Sequence, residues 1–359
     1  MREYARCPRR ESRRPKFMSK PKRILAALLV LALFFVAIWG YSRWRSRDPI
    51  AVRAEMLSHL PADANAVVFL DLAQFRSSPF LAQFFAWAPH PTPDEDYAQF
   101  VQATGFNYER DLDRLAVAIS RQSRTSTTLL VADGRFDRKK IEAYAARFGK
   151  PQLRNGQIVY SFALRGSQHT SFFTFLREDR IGWTDDPSYA SLVQQARSAA
   201  SAEWSERFNR LAGTPLFALL RPESGSASTL AQQAPGGFRS PQLAALLDQL
   251  QWISIGARPE GNILRVVVDG ECLSETTTRQ LSDFLGGILI LSQNGLNDPQ
   301  TRKKLDPQLR EAYLGLLQSA NVQKIDRGTS KSVRLVFDVT PALLQTARAA
   351  APQLAAPHP

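Results

Sequence analysis

Residues 131–149 read VADGRFDRKKIEAYAARFG: the end of a β-rich run, an Asp-Gly pair and an amphipathic helical pattern. Residues 267–287 read VVDGECLSETTTRQLSDFLGG and show the same order of features. Glycine just past the last helical residue is a common helix stop, so the first helix is predicted to close on Gly149 and the second on Gly286-Gly287. A strand–Asp-Gly–helix unit therefore occurs twice.

Matching segments surround both copies of this unit. SPFLAQF at 78–84 corresponds to SPQLAAL at 240–246, and LRNGQIVYSFAL corresponds to the closing hairpin at 325–339. Each copy also contains two alternating, β-rich runs before its Asp-Gly pair, which predict a strand pair. The sequence thus predicts an α+β fold of two repeated β-α-β-β-α-β-like units with mainly antiparallel sheets. Chance recurrence within an ordinary α+β chain is the alternative.

The predicted division of the chain follows from these patterns. It consists of a basic cytoplasmic arm at 1–23, a transmembrane helix at 24–41, a linker and first helix at 42–60, a first α+β repeat at 61–212, a second at 213–346, and a flexible Ala/Pro-rich tail at 347–359. A polar helical insertion, 289–320, belongs to the second repeat. Met18 is a candidate for the true start, and the anchor keeps its basic flank in either case.

The net charge of +13 is concentrated at the N-terminus. Residues 1–47 carry thirteen Arg or Lys and two acidic residues, whereas 48–359 carry 33 basic and 31 acidic residues. Because the folded part is nearly neutral, the high isoelectric point does not indicate nucleic-acid binding. We therefore predict no nucleic-acid partner.

Residues 24–41 form a run of eighteen residues without a charge, about 27 Å long as a helix and close to the thickness of a bilayer core. The excess of basic residues before the run predicts a cytoplasmic N-terminus, and aromatic residues follow at its outer end. The predicted membrane-anchor residues are Lys20, Lys22, Arg23, Trp39, Tyr41 and Trp44. A cleaved signal peptide and a buried core helix are the alternatives, but the run is long for the first and lacks the polar face of the second.

The sequence contains no recognisable catalytic motif. His59, His90 and His169 do not occur at metal-binding spacings, and no phosphate-binding glycine loop or serine-hydrolase elbow is present. The two cysteines, Cys7 and Cys272, are predicted to lie on opposite sides of the membrane and hence to form no disulfide. We predict no catalytic, cofactor-binding or metal-binding residue and no cofactor. Two carboxylates that meet only in space, as in glycosidases, stay open.

The Asp-Gly pairs and the aromatic residues each have two interpretations. Asp133-Gly134 and Asp269-Gly270 are interpreted as turn and cap residues, with Asp bonding the local backbone and Gly supplying positive φ. The aromatic residues are interpreted as core packing, or else as an apolar groove for a lipid or for a helix of a partner. The candidate groove residues are Phe80, Phe84, Phe85, Trp87, Phe172, Phe173 and Phe175.

The stretch LPADANAVVFLDLAQFRSSPF after the predicted anchor resembles bacterial envelope-anchored proteins whose extracytoplasmic domain, of unknown function, opens with Leu-Pro-Ala-Asp. The likeness covers residues 60–85 well, and it implies a domain facing the periplasm or the cell exterior from the bacterial inner membrane. It supplies no catalytic residues. The first functional hypothesis is a membrane-tethered binding or scaffold protein with a protein partner in the envelope. The others are an apolar-ligand (lipid) carrier or sensor, and an enzyme with an unrecognised site.

Overall fold

The computed structural model describes residues 49–61, 63–80, 83, 95–122, 125–154, 156–163, 170–188, 202–223, 241–328 and 330–346. Contacts divide the chain into two compact units, 1–52 and 53–359. Of the first unit only 49–52 are described, as the first turn of a helix. Within the described ranges no helix is long and apolar enough to cross a membrane. The predicted transmembrane helix and all six predicted anchor residues lie outside those ranges.

The elements alternate in the order expected of an α+β chain. The strands are β1 Ala66–Asp71, β2 Leu112–Gln122, β3 Thr125–Gly134, β4 Lys150–Arg154, β5 Gln157–Ala163, β6 Thr170–Arg177, β7 Arg180–Thr184, β8 Leu216–Leu220, β9 Leu250–Glu260, β10 Ile263–Cys272, β11 Asn321–Asp326 and β12 Lys331–Val339. The helices are α1 Pro49–Leu57, α2 Leu72–Arg76, α3 Glu95–Thr104, α4 Tyr108–Asp111, α5 Arg138–Phe148, α6 Ala202–Arg210, α7 Pro241–Leu247, α8 Glu275–Asn297, α9 Pro299–Lys304 and α10 Pro307–Ser319. Residues 341–346 are also helical.

The twelve strands of the described residues form one antiparallel sheet, in the order β11-β12-β10-β9-β8-β1-β2-β3-β7-β6-β5-β4. The predicted α+β class with antiparallel pairing is therefore confirmed. The pair β1–β8 lies near the middle of the sheet and joins the two segments that the sequence predicted as repeats, 61–212 and 213–346. We call the strands on the β1 side the first half and those on the β8 side the second half.

The strand order corrects one sequence correspondence. Outward from the central pair, the first half runs β2, β3, β7, β6 and the second runs β9, β10, β12, β11. The hairpin in the position of β11–β12 is therefore β6–β7, at 170–184. The segment that the sequence matched to 325–339 forms β4–β5, which extends the sheet beyond it. An Asn-Gly turn indicates a hairpin but carries no information about its position in a sheet.

The central strands are formed by alternating buried side chains. Val67 and Phe69 of β1 are buried on the same face as Phe217 and Leu219 of β8, and the rings of Phe69 and Phe217 stack with centroids 5.2 Å apart. Helices α1 and α6 cover this face with Met56, Leu57, Trp204 and Phe208. Since a large buried side chain contributes roughly 1.5–3 kcal/mol, this cluster is a main source of the sheet's stability.

The helix that follows the first Asp-Gly pair forms as predicted. Asp137 is the N-cap of α5, where its side chain accepts a hydrogen bond from the Lys140 amide, and Gly149 is the C-cap. Gly149 has φ −125°, not a left-handed conformation. A Cβ there would lie 2.8 Å from the carbonyl oxygen of Ser161, so close approach to β5 explains the glycine.

The predicted end of the second helix at Gly286-Gly287 is wrong. Helix α8 begins after the N-cap Ser274 and continues through both glycines to Asn297. Glycine inside a helix costs about 1 kcal/mol relative to alanine, and the packing of Leu281 and Leu285 onto the sheet offsets it. The predicted single polar helix after it is two helices, because Asp298-Pro299 and Asp306-Pro307 each begin a new one.

Candidate functional site

The described members of the predicted apolar groove lie in different places. Phe80 packs with Phe75 and with apolar residues of the second half. Phe172 packs with Val159, and by the alternation along β6 it lies on the opposite face of the sheet from Phe173 and Phe175. Phe84, Phe85 and Trp87 lie outside the described residues, so the groove as a whole stays a prediction.

Phe173 and Phe175 belong to a connected series of aromatic rings in the first half. Successive ring centroids are 4.8–6.2 Å apart along the series Phe148, Tyr144, Phe100, Phe106, Phe136, Phe175, Phe173 and Tyr160. The rings pack against one another in stacked, tilted and edge-to-face arrangements, which is how aromatic residues fill a core. Burial raises the pKa of the Tyr160 hydroxyl. This series indicates packing between α3, α5 and the sheet.

The recurring Asp-Gly pairs make long-range contacts that the sequence did not indicate. Asp133 of β3 faces Arg180 of β7 in direct register, and its two carboxylate oxygens accept hydrogen bonds from Nε (2.5 Å) and Nη2 (2.9 Å) of that arginine. Asp269 of β10 faces Arg334 of β12 in the same manner, with distances of 2.7 and 2.8 Å. The interpretation of these aspartates as turn and cap residues is therefore wrong.

The glycines of the two pairs also differ from the prediction, since neither is among the described glycines with positive φ. At Gly134 a Cβ would lie 2.5 Å from the backbone oxygen of Asp111. At Gly270 it would lie 3.1 Å from a methyl group of Leu250. Lack of space for a Cβ therefore explains both glycines. The restriction is stronger at Gly134, because a backbone oxygen cannot rotate away as a methyl group can.

The ion pair of Asp133 belongs to a row of alternating charges across the first half. Asp71, Arg114, Asp133 and Arg180 follow one another in register on β1, β2, β3 and β7. Asp71 also accepts a hydrogen bond from Nε of Arg114 at 3.0 Å. Arg180 is completely buried, and its Nη1 lies 3.2 Å from a carboxylate oxygen of Glu55 on α1. The row therefore connects the sheet to its covering helix.

The second half contains a buried carboxylate with two arginine partners. Glu271 is 1% exposed and accepts hydrogen bonds from Nε (3.1 Å) and Nη2 (2.5 Å) of Arg207 and from Nη1 of Arg210 (2.7 Å). The Arg207 guanidinium lies 4.1 Å from the ring centre of Trp252, in cation–π geometry. Both oxygens of Glu271 are thus occupied, which fits a structural role better than proton transfer.

Arg53 of α1 is another buried charged residue, at the centre of the sheet. Its guanidinium donates hydrogen bonds to the carbonyl oxygens of Leu211 (2.8 Å) and Phe208 (3.0 Å), at the C-terminal end of α6. It also lies over the rings of Phe69 and Phe217, 5.9 and 5.4 Å from their centres. Burial lowers the pKa of Arg53, but a guanidinium remains charged in proteins. Arg53 thus joins α1 to α6 over the central strand pair.

Two further groups have shifted pKa values. The carboxyl pKa of Asp111 is lowered to about 2, first by the hydrogen bond from Arg110 and further by the Asn107 amide and Arg135. The Cys272 thiol is buried, which raises its pKa and disfavours the reactive thiolate. Among the described residues no group of three or more His, Cys, Asp or Glu is placed to hold a metal ion. His90 and His169 lie outside those residues.

The outer surface of α8 exposes two large apolar side chains. Ile290 and Leu291 are 60% and 72% exposed, whereas the opposite face of the helix packs on the sheet. A Cβ at Gly286 or Gly287 would meet no atom within 4 Å, so the helix backbone is accessible beside these side chains. Because the helix was predicted to end at the glycines, this surface was not predicted. The apolar run ILIL after them was the available signal.

A shallow pocket of about 480 Å³ lies between α10 and the helical residues 341–346. Its lining is mostly polar or small: Gln308, Glu311, Ala312, Gly315, Thr340, Ala342, Gln345 and Thr346. Pockets for apolar ligands are lined mainly by hydrophobic and aromatic side chains. The lining of this pocket therefore does not favour a lipid.

Solved structures of one protein, TP0453, are similar to this chain. Crystal form IV has a TM-score of 0.45 and 9% identity, covering 83% of this chain and 98% of TP0453, and crystal form I has a TM-score of 0.42 and 8% identity, covering 81% and 95%. No protein-family model and no curated protein matches the chain. A likeness of this degree assigns neither a family nor a function.

Proposed function

We propose that this chain is a membrane-tethered binding protein of the bacterial envelope, without catalytic activity. Residues 24–41 form its anchor, with the N-terminus in the cytoplasm and the sheet in the periplasm or outside the cell. Its partner is another envelope protein, which docks a helix on the outer surface of α8. The observation that carries the proposal is the exposure of Ile290 and Leu291 beside Gly286 and Gly287.

The chemistry of this surface suits a protein partner. Glycines let a second helix approach the backbone closely, and the two exposed apolar side chains supply area to bury. Asp283 and Asn294 are exposed on the same side of α8, so the apolar centre has a polar rim. A small apolar centre within a polar rim is the usual arrangement of a protein–protein contact.

The buried charges support a binding role over catalysis. Asp133, Asp269 and Glu271 each accept hydrogen bonds from arginine at both oxygens. Catalytic carboxylates need an accessible oxygen and a pKa matched to proton transfer.

We also propose that the two halves of the sheet are repeats, because Asp133–Arg180 and Asp269–Arg334 occupy corresponding strands.

Site-specific photo-crosslinking of the full chain in its native membrane tests the partner. A photoreactive residue at Ile290 is expected to give a discrete crosslinked product, and Leu291→Asp is expected to abolish it by placing a charge in the contact. The matched control is Leu273, which is 62% exposed and directly precedes Ser274, the N-cap of α8. Equal crosslinking at 273 and 290, or a product that persists in Leu291→Asp, would refute the docking surface.

The topology is tested separately with a reporter fused after residue 60. A reporter that is active only in the cytoplasm is expected to be inactive at this position. Full activity there would overturn the proposed orientation, and extraction of the chain by alkaline carbonate would overturn the anchor.

A further inference from the structure

We propose that the outer end of the first half contacts an anionic lipid surface. The contact surface, called the hairpin surface below, consists of the hairpin β4–β5 and the C-terminal end of α5. Its apolar residues are Phe148, Leu153 and Ile158, and its basic residues are Arg147, Lys150 and Arg154. None of these residues belongs to the α8 surface.

The apolar residues of the hairpin surface are strongly exposed. Phe148 is 62% exposed, Leu153 77% and Ile158 42%. Leu153 and Ile158 face each other in register on β4 and β5, so their side chains lie on the same face of the sheet. Three large apolar side chains within eleven consecutive residues, 148–158, are more than scattered surface exposure accounts for.

The charge of this segment has a single sign. Residues 143–163 contain no Asp or Glu, whereas 48–359 contain 31 acidic residues. Arg147 and Lys150 are exposed and form no ion pair with a described residue. Arg154 is half-buried and has only neutral partners: it donates to the side-chain oxygen of Gln152 and the carbonyl oxygen of Pro187, and its guanidinium lies 5.4 Å from the ring centre of Phe172. The positive charge of the hairpin surface is therefore available to an external anion.

The other surfaces that the described residues form lack this combination. Exposed Leu273 lies between Glu271 and Glu275 in the chain, and exposed Ile290 follows Asp283 by two helical turns. The exposed cations Arg302 and Lys303 of α9 lie between Asp298 and Asp306. Only along 147–158 do exposed apolar and unneutralised basic residues alternate in the described part of the chain.

A lipid surface fits this pattern better than a further strand or a protein. β4 has five residues and contains Lys150 and Pro151, both of which oppose pairing of an edge strand with another chain. By the alternation along β4, Leu153 lies on one face of the hairpin and Lys150 and Arg154 lie on the other. At the edge of a sheet, such a hairpin can insert its apolar face into the headgroup layer while its cations meet anionic headgroups. That the hairpin surface lies near a membrane is the one step that rests on the proposed function, through the anchor proposed at 24–41.

Fluorescence quenching by brominated lipids tests this contact in the full chain. The Leu153→Cys variant in a Cys7→Ser background carries an environment-sensitive fluorophore and is reconstituted into phosphatidylcholine vesicles with or without phosphatidylglycerol. We expect quenching and a blue shift only with phosphatidylglycerol. The matched control, Leu273→Cys, is expected to show neither, and the Cys7→Ser background corrects for labelling of the buried Cys272.

Neutralising the basic residues gives the second measurement. A cation near an anionic membrane contributes about 1 kcal/mol, or about fivefold in binding, so Arg147→Gln with Lys150→Gln is expected to lower the ratio of quenched to unquenched label about 25-fold. The control Arg302→Gln with Lys303→Gln is expected to leave this ratio unchanged.

The outcomes separate this inference from the proposed function. No quenching at residue 153 in anionic vesicles, or equal quenching at 153 and 273, would overturn the lipid contact whether or not the anchor holds. A blue shift at 153 in native membranes but not in vesicles would replace the lipid with an acidic protein partner and so also overturn it. If carbonate releases the chain from native membranes but the label at residue 153 is still quenched in anionic vesicles, only the proposed anchor would be overturned.

Discussion

The two halves of the sheet place an Asp–Arg pair on corresponding strands, but in different surroundings. In the first half the side chain of Arg180 is completely buried and that of Asp133 is 8% exposed. In the second half the side chain of Asp269 is 15% exposed and that of Arg334 is 34% exposed, and Arg327 is a further partner at 3.1 Å. The same pairing of residue types is therefore enclosed in one half and solvated in the other.

The difference shows how burial changes what an ion pair requires. A buried pair must recover the cost of removing both charges from water, and loss of one partner leaves the other charged in a medium of low polarity. Arg180 accordingly lies close to a second carboxylate, Glu55 of α1. Water can replace a lost partner of Asp269, and a surplus of guanidinium groups surrounds it already. The first half should therefore tolerate change much less than the second.

The largest expected difference in stability loss between the two halves comes from replacing the aspartate of each pair. Asp133→Ala leaves the buried Arg180 with Glu55 alone, and we expect the free energy of unfolding to fall by about 3 kcal/mol. Asp269→Ala leaves two partly solvated arginines, and we expect a loss of about 1 kcal/mol. Denaturant unfolding of the full chain in detergent, followed by tryptophan fluorescence, measures both. Equal losses would show that the difference in burial has no energetic consequence.

A smaller difference in stability loss between the two halves is expected when the adjacent glycine of each pair is replaced by alanine. Gly134→Ala would drive a Cβ against the backbone oxygen of Asp111, and we expect a loss of about 2 kcal/mol. Gly270→Ala meets only a methyl group of Leu250, which can move, and we expect a loss of less than about 1 kcal/mol. The same unfolding measurement applies. A greater loss at Gly270 would contradict the closer packing inferred for the first half.

The smallest effect is expected from pH, through Asp111 beside Gly134. Its folded-state pKa of about 2 lies below its ordinary 3.8, so it contributes stability above pH 4 that is lost as the pH falls from about 4 to 2. We expect about 1 kcal/mol, reduced from the full shift because the Arg110 partner is exposed to solvent. Unfolding between pH 5 and 2 measures it, and Asp111→Asn should remove this part of the pH dependence. An unchanged profile in that variant would assign the dependence elsewhere.

Much of the fold could be predicted from local sequence patterns. The β-rich runs before the Asp-Gly pairs predicted the strand pairs β2–β3 and β9–β10, and Gly149 predicted the end of α5, since capping and alternation act within a few residues. The end of α8 could not be predicted in the same way, because tertiary packing decides whether Gly286-Gly287 stops a helix. The position of β4–β5 at the outer end of the sheet likewise depends on contacts distant in sequence.

The buried ion pairs show most directly what the sequence alone could not provide. The Asp-Gly recurrence was visible in the sequence, but Arg180 and Arg334 lie 47 and 65 residues from their aspartates. No spacing rule connects such partners, since strand register decides which residues face each other. The aromatic residues present the same difficulty: Phe173 and Phe175 were singled out, whereas Phe100, Phe106 and Phe136 join them only in the folded chain.

The sequence by itself determined the α+β class, the antiparallel pairing of neighbouring strands and the absence of recognisable catalytic motifs, because these depend on composition and short-range periodicity. Tertiary structure alone decided that the segments 61–212 and 213–346 share one twelve-stranded sheet, that Asp133 and Asp269 bind arginines instead of turning the chain, and that Phe148 and Leu153 stay exposed. Register and burial are properties of the whole sheet, and they arise only when distant segments pack together.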